Sequence, residues 1–342
     1  MLTERQSRIL ALVIGEYVDG AEPVGSQHIA RRSGLGVSAA TIRNEMAELE
    51  HEGYLDHPHT SSGRVPTDKG YRFYVERLMR EEQLSWEAQQ TIRHQFHQVE
   101  GGQDAWAHLA ASVLARAAEN AAVVTAPRTA SCHLKHLELV SLHDRTVLLV
   151  LVLDQGLLRQ QLLTFEDVYT QEELATTAER LNQRFGGKSV REAEQAVELS
   201  AVEEVVMDSV TEVMRAVDAG GYDEAYLDGV RQLLSQPEFA RGDQMLGLLE
   251  LLDERNLTRA IPLRSLAQEG VTVIIGADNP RLDVANEAMR ACSVVIGAYG
   301  APGVASGALA VLGPMRMRYS RTISTVRYLS GVMSELMVES YE

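Results

Sequence analysis

The spacing of apolar residues near the start of the chain predicts an amphipathic helix. Apolar side chains recur at helical intervals from Ile9 to Val18, which leaves one face of the segment apolar. Thr3 can accept a hydrogen bond from the backbone while Gln6 reaches back, an arrangement typical of a capping box. Gly20 is suited to the end of the helix. We therefore expect a first helix from about Thr3 to Gly20.

Two shorter helices are predicted next, separated by a turn. Ser26 can cap a helix that ends near Arg32, and the glycines within residues 33–36 favour a tight turn. Ser38 can cap a third helix, and its apolar positions are Ile42, Met46 and Leu49. Two short helices around a glycine-containing turn, behind a longer helix, are typical of a helix-turn-helix.

The opposite face of the third helix carries candidates for base recognition. Small side chains on that face would let the helix backbone approach a groove of DNA, and asparagine and arginine can pair with adenine and guanine. The same pattern is also typical of an ordinary solvated helix face, and the spacing alone does not decide between these interpretations. The residues expected nearest to DNA on this helix are Ser38, Ala40, Thr41, Arg43 and Asn44.

A β-hairpin is predicted after the third helix, in the position of the wing of a winged helix. Residues 54–55 and Val65 are expected to form the ends of two short strands, with residues 60–63 at the tip. Thr67 is suited to cap a fourth helix, which carries Tyr71 on its apolar face. The hairpin residues predicted to contact the DNA backbone or the minor groove are Ser62, Gly63 and Arg64. Lys69, on the fourth helix, is predicted to contact a phosphate.

Four segments of the chain resemble one known family. These are ATIRNEMAELE at 40–50, HTSSGRVPTDKGYRFYV at 59–75, LLSQPEF at 233–239 and GALAVLGPMRMRYSRTISTV at 307–326. They are similar to the heat-inducible transcription repressor HrcA family. The resemblance implies a homodimeric repressor that binds an inverted-repeat operator, in double-stranded DNA, upstream of chaperonin and related heat-shock operons. It also implies that the chaperonin keeps the repressor active and that heat stress releases repression.

The remaining chain predicts an α+β multidomain protein. Three strand-like runs between residues 137 and 165 are predicted to form an antiparallel meander. Strongly helical sequence follows over about 168–258, and strands return at 271–277, 292–299 and 308–314. The resemblance implies a GAF-like antiparallel-sheet domain with an inserted, mainly helical dimerisation domain. The expected domains are a winged-helix DNA-binding domain at 1–80, a helical connector at 81–125, a GAF-like domain at 126–167 and 233–342, and the inserted dimerisation domain at 168–232.

Charge is distributed unevenly along the 342 residues, whose formal net charge is −16. Residues 1–80 contain ten Lys/Arg and eleven Asp/Glu, which is close to neutral, so most of the negative charge lies in the other 262 residues. An acidic body repels phosphate, so any basic surface that binds DNA must be local to the N-terminal domain. Binding by a single N-terminal domain should therefore be weak.

The expected location is the cytoplasm. Cys132 and Cys292 lie far apart in sequence, which fits a reducing compartment better than a disulfide framework. The sequence contains no apolar run of the roughly 20 residues needed to span a bilayer. The N-terminus also lacks the pattern of a signal peptide.

No catalytic residue, metal site or cofactor is expected. Ser306 lacks the preceding glycine of a nucleophile elbow, and the glycines of 297–303 do not follow a phosphate-binding pattern. His94, His97 and the segment 132–136 lack the ligand spacing of a structural zinc site. Two alternatives to the repressor hypothesis remain at this point. One is a small-molecule-sensing GAF-type regulator or enzyme with an accessory DNA-binding domain, and the other is a protein-interaction module that does not bind DNA.

Overall fold

The computed structural model divides the chain into two compact units. The first unit comprises residues 1–128, 222–301 and 306–342, and the second comprises 129–221 and 302–305. The structure describes residues 2–32, 34–58, 63–99, 101–129, 131–154, 157–194, 198–219, 225–239, 242–252, 270–278, 287–301 and 305–341. Among these residues, none of the helices combines the length and the hydrophobicity of a membrane-spanning segment.

The described residues form both helices and strands. The helices are α1 (Glu4–Gly20), α2 (Ser26–Arg32), α3 (Ala39–His51), α4 (Asp68–Phe73), α5 (Trp86–His97), α6 (Gly102–Ala118), α7 (Gln171–Phe185), α8 (Val190–Glu194), α9 (Ala201–Ala219), α10 (Val230–Leu234), α11 (Gly242–Leu251) and α12 (Tyr319–Tyr341). The strands are β1 (Leu55–Asp56), β2 (Val65–Pro66), β3 (Ala121–Thr125), β4 (Arg128–Thr129), β5 (Leu134–His143), β6 (Thr146–Leu153), β7 (Leu158–Thr164), β8 (Ala225–Asp228), β9 (Val271–Ile275), β10 (Cys292–Ala301) and β11 (Ala305–Pro314).

The first 78 residues, called the head below, begin with α1 as the sequence predicts. Thr3 and Gln6 form the expected capping box, and the helix ends at Gly20. The left-handed residue that follows is Ala21, with φ 53°, so a non-glycine residue adopts the conformation that usually favours glycine. The Ala21 amide donates to the carbonyl of Tyr17 and closes the last turn.

The apolar positions of the three head helices form one core. Ile42, Met46 and Leu49 of α3 are fully buried, as their spacing predicts, and Ile9 and Leu10 of α1 are buried with them. Tyr17 and Val18, by contrast, are only half-buried. β1 and β2 pair antiparallel with Leu55 opposite Pro66 and Asp56 opposite Val65. The predicted hairpin is therefore present but its described strands are only two residues long.

The fourth head helix changes its winding after one and a half turns. Thr67 caps α4 by accepting from the Gly70 amide at 3.1 Å, as predicted. From Tyr74 to Leu78 the chain continues as a π-helical turn, closed by the Met79 amide on the Tyr74 carbonyl at 2.8 Å.

The body of the first unit is a sheet with helices on both faces. Its strand order is β8-β3-β11-β10-β9, and β3 pairs antiparallel with both β8 and β11. One face packs against α6 and α12, and the other forms an apolar core with α10, α11 and Phe239. Two strands differ from the prediction. β3 lies within the segment predicted as a helical connector, and β8 lies within the segment predicted as helical.

The two differences have separate physical reasons. β3 has the sequence AAVVT and is buried along its whole length, so burial between neighbouring strands decides its structure although alanine favours helices. β8 is only four residues long, too short for a periodic pattern to distinguish strand from helix.

The second unit contains the predicted three-strand meander, with strand order β5-β6-β7. One face of this sheet packs against α7 and α9 and forms a single apolar core with them. The predicted domain boundary between residues 167 and 168 therefore falls inside a compact unit. The meander belongs with the helices that follow it, because its buried face needs their apolar side chains for a core.

Candidate nucleic-acid interface

The outer face of α3 is open along its first two turns. Ser38 caps the helix by accepting from the Thr41 amide at 3.1 Å, and its hydroxyl also lies 3.0 Å from the Thr41 hydroxyl. Ala40 is exposed and Thr41 is half-buried. Because alanine adds little volume, the helix backbone can approach another surface closely at this point.

Arg43 and Asn44 are the polar side chains of this face. Both are exposed, and neither forms an ion pair or hydrogen bond with any residue that the structure describes. Ala47 and His51 continue the same exposed stripe. An arginine and an asparagine next to each other on a helix can present donors and acceptors that match the edges of guanine and adenine.

The inner face of α3 is fixed to the head by two charged pairs. Arg5 of α1 pairs with Glu45, and Arg64 donates from Nε to Glu50 at 2.8 Å. Glu45 is itself buried, three residues after the buried Ile42. Neither glutamate was predicted from the sequence, although the three-residue interval between Ile42 and Glu45 places these two residues on one face of the helix.

Arg64 lies at the base of the hairpin and not at its tip. Its side chain is only 15% exposed because it is held against Glu50. Its backbone forms an antiparallel bridge with Val24: the Val24 amide donates to the Arg64 carbonyl at 2.9 Å, and the Arg64 amide donates to the Val24 carbonyl at 3.0 Å. Arg64 therefore joins three parts of the head: the hairpin, the segment before α2, and α3.

Gly63 packs against the same segment. A Cβ atom at this position would lie 2.4 Å from the Val24 carbonyl carbon and 2.6 Å from that of Pro23. These are main-chain atoms and cannot move aside at low cost. The glycine is therefore required by the close approach of two backbones within the head. Ser62, the neighbouring predicted contact, lies outside the described residues, as do residues 60 and 61 of the predicted tip.

Lys69 is exposed on the first turn of α4. Its ammonium donates to the Glu52 carbonyl at 2.7 Å and lies 4.3 Å from the centre of the Tyr54 ring. An ammonium carries three donors, so donors remain for a phosphate. Gly70 is required here as well, since a Cβ atom there would lie 2.2 Å from the Tyr54 carbonyl oxygen.

A third charged cluster joins α1 to α2. Glu16 accepts from His28 at 2.6 Å and from Arg32 at 2.6 and 2.7 Å. The hydrogen bond from His28, together with that of Arg32, lowers the pKa of the Glu16 carboxyl. This cluster therefore links α2 to α1 by charged hydrogen bonds.

The described residues offer little for catalysis or metal binding. They contain no group of three or more His, Cys, Asp or Glu that could hold a metal ion. Cys132 and Cys292 are both buried free thiols, and desolvation raises the pKa of each to about 12. A thiol with so high a pKa is a poor nucleophile at neutral pH.

Comparison with known proteins points to the same family that the four quoted sequence segments resemble. The sequence model of a protein family, described as HrcA protein C terminal domain, matches residues 104–323. The heat-inducible transcription repressor HrcA of Roseiflexus castenholzii is 43% identical over 99% of this chain and 96% of its own length. That of Dehalococcoides mccartyi strain 195 is 40% identical over 100% of this chain and 97% of its own.

A solved structure shares the fold. It is the crystal structure of a hypothetical protein at 2.2 Å resolution, with a TM-score of 0.59 and 23% sequence identity, and the match covers 99% of this chain and 98% of that one. The sequence matches extend over nearly the whole chain, as the four quoted segments predicted. This chain belongs to the HrcA family of heat-inducible transcription repressors.

Proposed function

We propose that the chain represses heat-shock genes by binding an inverted-repeat DNA operator as a homodimer. The observation that carries the proposal is the outer face of α3, where Arg43 and Asn44 are exposed beside small residues on a helix with a rigid inner face. A rigid helix with free base-reading side chains is what readout in the major groove requires. In this proposal the head is a winged helix-turn-helix, and α3 is its recognition helix.

The N-terminal turns of α3 are the part that reaches the bases. In helix-turn-helix proteins the first residues of the recognition helix contact base edges. Ala40 and Thr41 then provide close approach and a methyl contact, whereas Arg43 and Asn44 provide hydrogen bonds. Ser38 holds the first turn in place and can also donate to a phosphate.

The hairpin and α4 have a different part in DNA binding. The ion pair of Arg64 with Glu50 supports a revised role, in which Arg64 fixes the hairpin on α3 and does not contact phosphate directly. Lys69 is exposed and keeps free donors, so it is the better phosphate contact of the two. Ser62 remains a predicted contact at the tip of the wing.

Dimerisation is assigned to the second unit, with its outer sheet face as the contact surface. Apolar side chains lie side by side across that face, with Val140 opposite Leu148, Leu148 opposite Leu162, and Val152 opposite Leu158. Leu158 and Leu162 are 51% and 62% exposed in the single chain. A second copy of the same face would cover them, and a two-fold dimer matches the symmetry of an inverted repeat. The inserted dimerisation domain would then include the meander.

The body sheet is the proposed GAF-like domain. Apolar side chains from β3, β10 and β11, together with α10 and α11, fill one face of that sheet. This packing supports a mainly structural role for the domain. The chaperonin is proposed to keep the repressor active, and a gel shift with and without chaperonin would test this part separately.

Substitution of the two polar residues of α3 tests the proposal. Arg43→Ala and Asn44→Ala are each expected to reduce the preference for the operator over a scrambled duplex by about 1–3 kcal/mol, because each removes contacts to one base edge. Arg31→Ala is the matched control, since Arg31 is also an exposed arginine of the head but lies on α2. Gel-shift titration on both duplexes measures the preference. Unchanged discrimination in both α3 variants would rule out this docking of the head.

A further inference from the structure

An arginine from the far end of the chain holds the end of α1. Arg316 lies two residues after β11, and its side chain is only 13% exposed. Its guanidinium donates to both carboxylate oxygens of Glu238, to the side-chain oxygen of Gln236, and to the Val18 carbonyl of the head at 3.3 Å. One side chain therefore joins three segments that are far apart in sequence.

The acceptor in the head is suited to a cation. Val18 lies in the last turn of α1, where carbonyl groups have no partner within the helix and carry partial negative charge. Arg318 adds a weaker contact to Asp19 of the same turn at 3.4 Å. The two arginines of the segment PMRMR thus contact the same end of the helix.

A second contact joins α4 to the end of β9. Asp68 accepts from the Ala277 amide at 3.2 Å, and Arg72 donates from Nε to Asp278 at 2.6 Å. Gly276 permits the approach, because a Cβ atom there would lie 2.4 Å from an Asp68 carboxylate oxygen. The glycine adopts φ +50°, which also favours glycine at this position.

Two buried tyrosines form the apolar centre between these contacts. The rings of Tyr71 in α4 and Tyr319 in α12 have centroids 6.0 Å apart. The Tyr319 hydroxyl lies 2.7 Å from the Ser293 hydroxyl and donates to the Met315 carbonyl at 2.6 Å. The head is therefore held at the end of α1, along α4, and at the tyrosine pair, so that its orientation on the body is defined.

We infer that Arg316 is a positioning residue for DNA binding, which sets the spacing of operator half-sites without touching DNA. The inference rests on the proposed function, because it requires two heads on one dimer. A dimer reads two half-sites only if its heads are held at a matching distance and angle. A guanidinium with three acceptors in fixed directions can hold such an angle, whereas a lysine ammonium cannot reproduce the same planar geometry.

The test measures how strictly the full-length protein requires one spacing. The probe is the inverted repeat that the wild-type protein selects from a random duplex library, together with versions whose central spacer is longer or shorter by single base pairs. A duplex with one half-site serves as the reference for a single head. Arg316→Gln and Glu238→Gln are compared with Arg321→Gln. Arg321 is an exposed arginine of α12 whose side chain forms no described ion pair or hydrogen bond.

The wild type and Arg321→Gln are expected to lose roughly tenfold or more in affinity when the spacer changes by one base pair. Arg316→Gln is expected to lose less than about threefold in affinity for the same change of spacer. Substitutions between two coupled sites commonly change their coupling by factors of about 2–30. Glu238→Gln keeps the guanidinium near Val18 and should have a smaller effect in the same direction. Binding to the single half-site should be equal in all four proteins.

Three results would overturn the inference. A spacer dependence in Arg316→Gln equal to that of the wild type would show that the arginine does not set the spacing. Weak half-site binding by both Arg316→Gln and Glu238→Gln would mean that the pair supports the fold of the head itself. If the wild type selects no inverted repeat, the proposed function fails as well, and this outcome is distinct from the other two.

Discussion

Arg43 on α3 and Arg64 at the base of the hairpin have the same charge within one small head but opposite surroundings. Arg43 is exposed without a described partner, whereas Arg64 is 15% exposed and donates to Glu50. Arg43 is free to bind a ligand, whereas Arg64 stabilises the helix α3 on which Arg43 lies. A basic residue in a DNA-binding domain is therefore not by itself a contact to DNA, and its partners decide which role it has.

The largest expected effect comes from the close packing beside Arg64. Gly63→Ala places a methyl group against the main chain of Pro23 and Val24, so we expect the head to lose about 2 kcal/mol or more of stability. Binding should weaken on every duplex alike. Hydrogen exchange of the α1 and α3 amides measures the loss locally, because a protein of two units need not unfold in one step.

Gly15→Ala is the matched control for that substitution. Gly15 lies inside α1, and apart from the adjacent helix backbone and its two neighbours in the chain no atom lies within 4 Å of the added carbon, so alanine should stabilise the helix by about 0.5–1 kcal/mol. Equal protection of the head amides in the two variants would contradict the close packing at Gly63.

A smaller effect is expected from the ion pair itself. A double-mutant cycle of Arg64→Gln and Glu50→Gln should give a coupling free energy of about 1–2 kcal/mol for the stability of the head, because the pair is partly buried. The exposed pair Arg93–Glu335, which joins α5 to α12 outside the head, should give a coupling free energy of less than about 0.5 kcal/mol for the local stability of those two helices. A coupling energy near zero for Arg64 and Glu50 would return Arg64 to the group of possible DNA contacts.

The smallest effect concerns the salt dependence of DNA binding. Lys69→Gln should reduce the slope of log affinity against log salt concentration by about 0.9, the value for one phosphate contact. Arg64→Gln should leave that slope unchanged, since its guanidinium is engaged with Glu50. Titrations at several salt concentrations compare the two variants, and a reversed order would exchange the roles proposed for Lys69 and Arg64.

Much of the head could be predicted because its signals are local. The caps of Thr3, Ser38 and Thr67 and the buried face of α3 depend on residues three or four positions apart, and all are present as predicted. The body was predicted less well. β3 and β8 are strands because of the neighbours with which they pair, and neither sequence contains enough alternation to indicate this.

The grouping of elements into units also depended on contacts that are distant in sequence. The meander of β5, β6 and β7 was recognisable, but its apolar face is compatible with any partner that offers an apolar surface. Only packing against α7 and α9 places it with the second unit. A hydrophobic pattern gives the direction of a buried face and not the identity of what covers it.

The sequence by itself determined the family, the order of the head helices and the exposed face of α3, since these follow from motifs and from periodicity. The tertiary structure decided which charges are available. It paired Arg64 with Glu50 and brought Arg316 to Glu238 and to Val18, although Arg316 is 298 positions from Val18. Electrostatic pairing depends on distance in space, and the folded chain sets that distance independently of separation along the sequence.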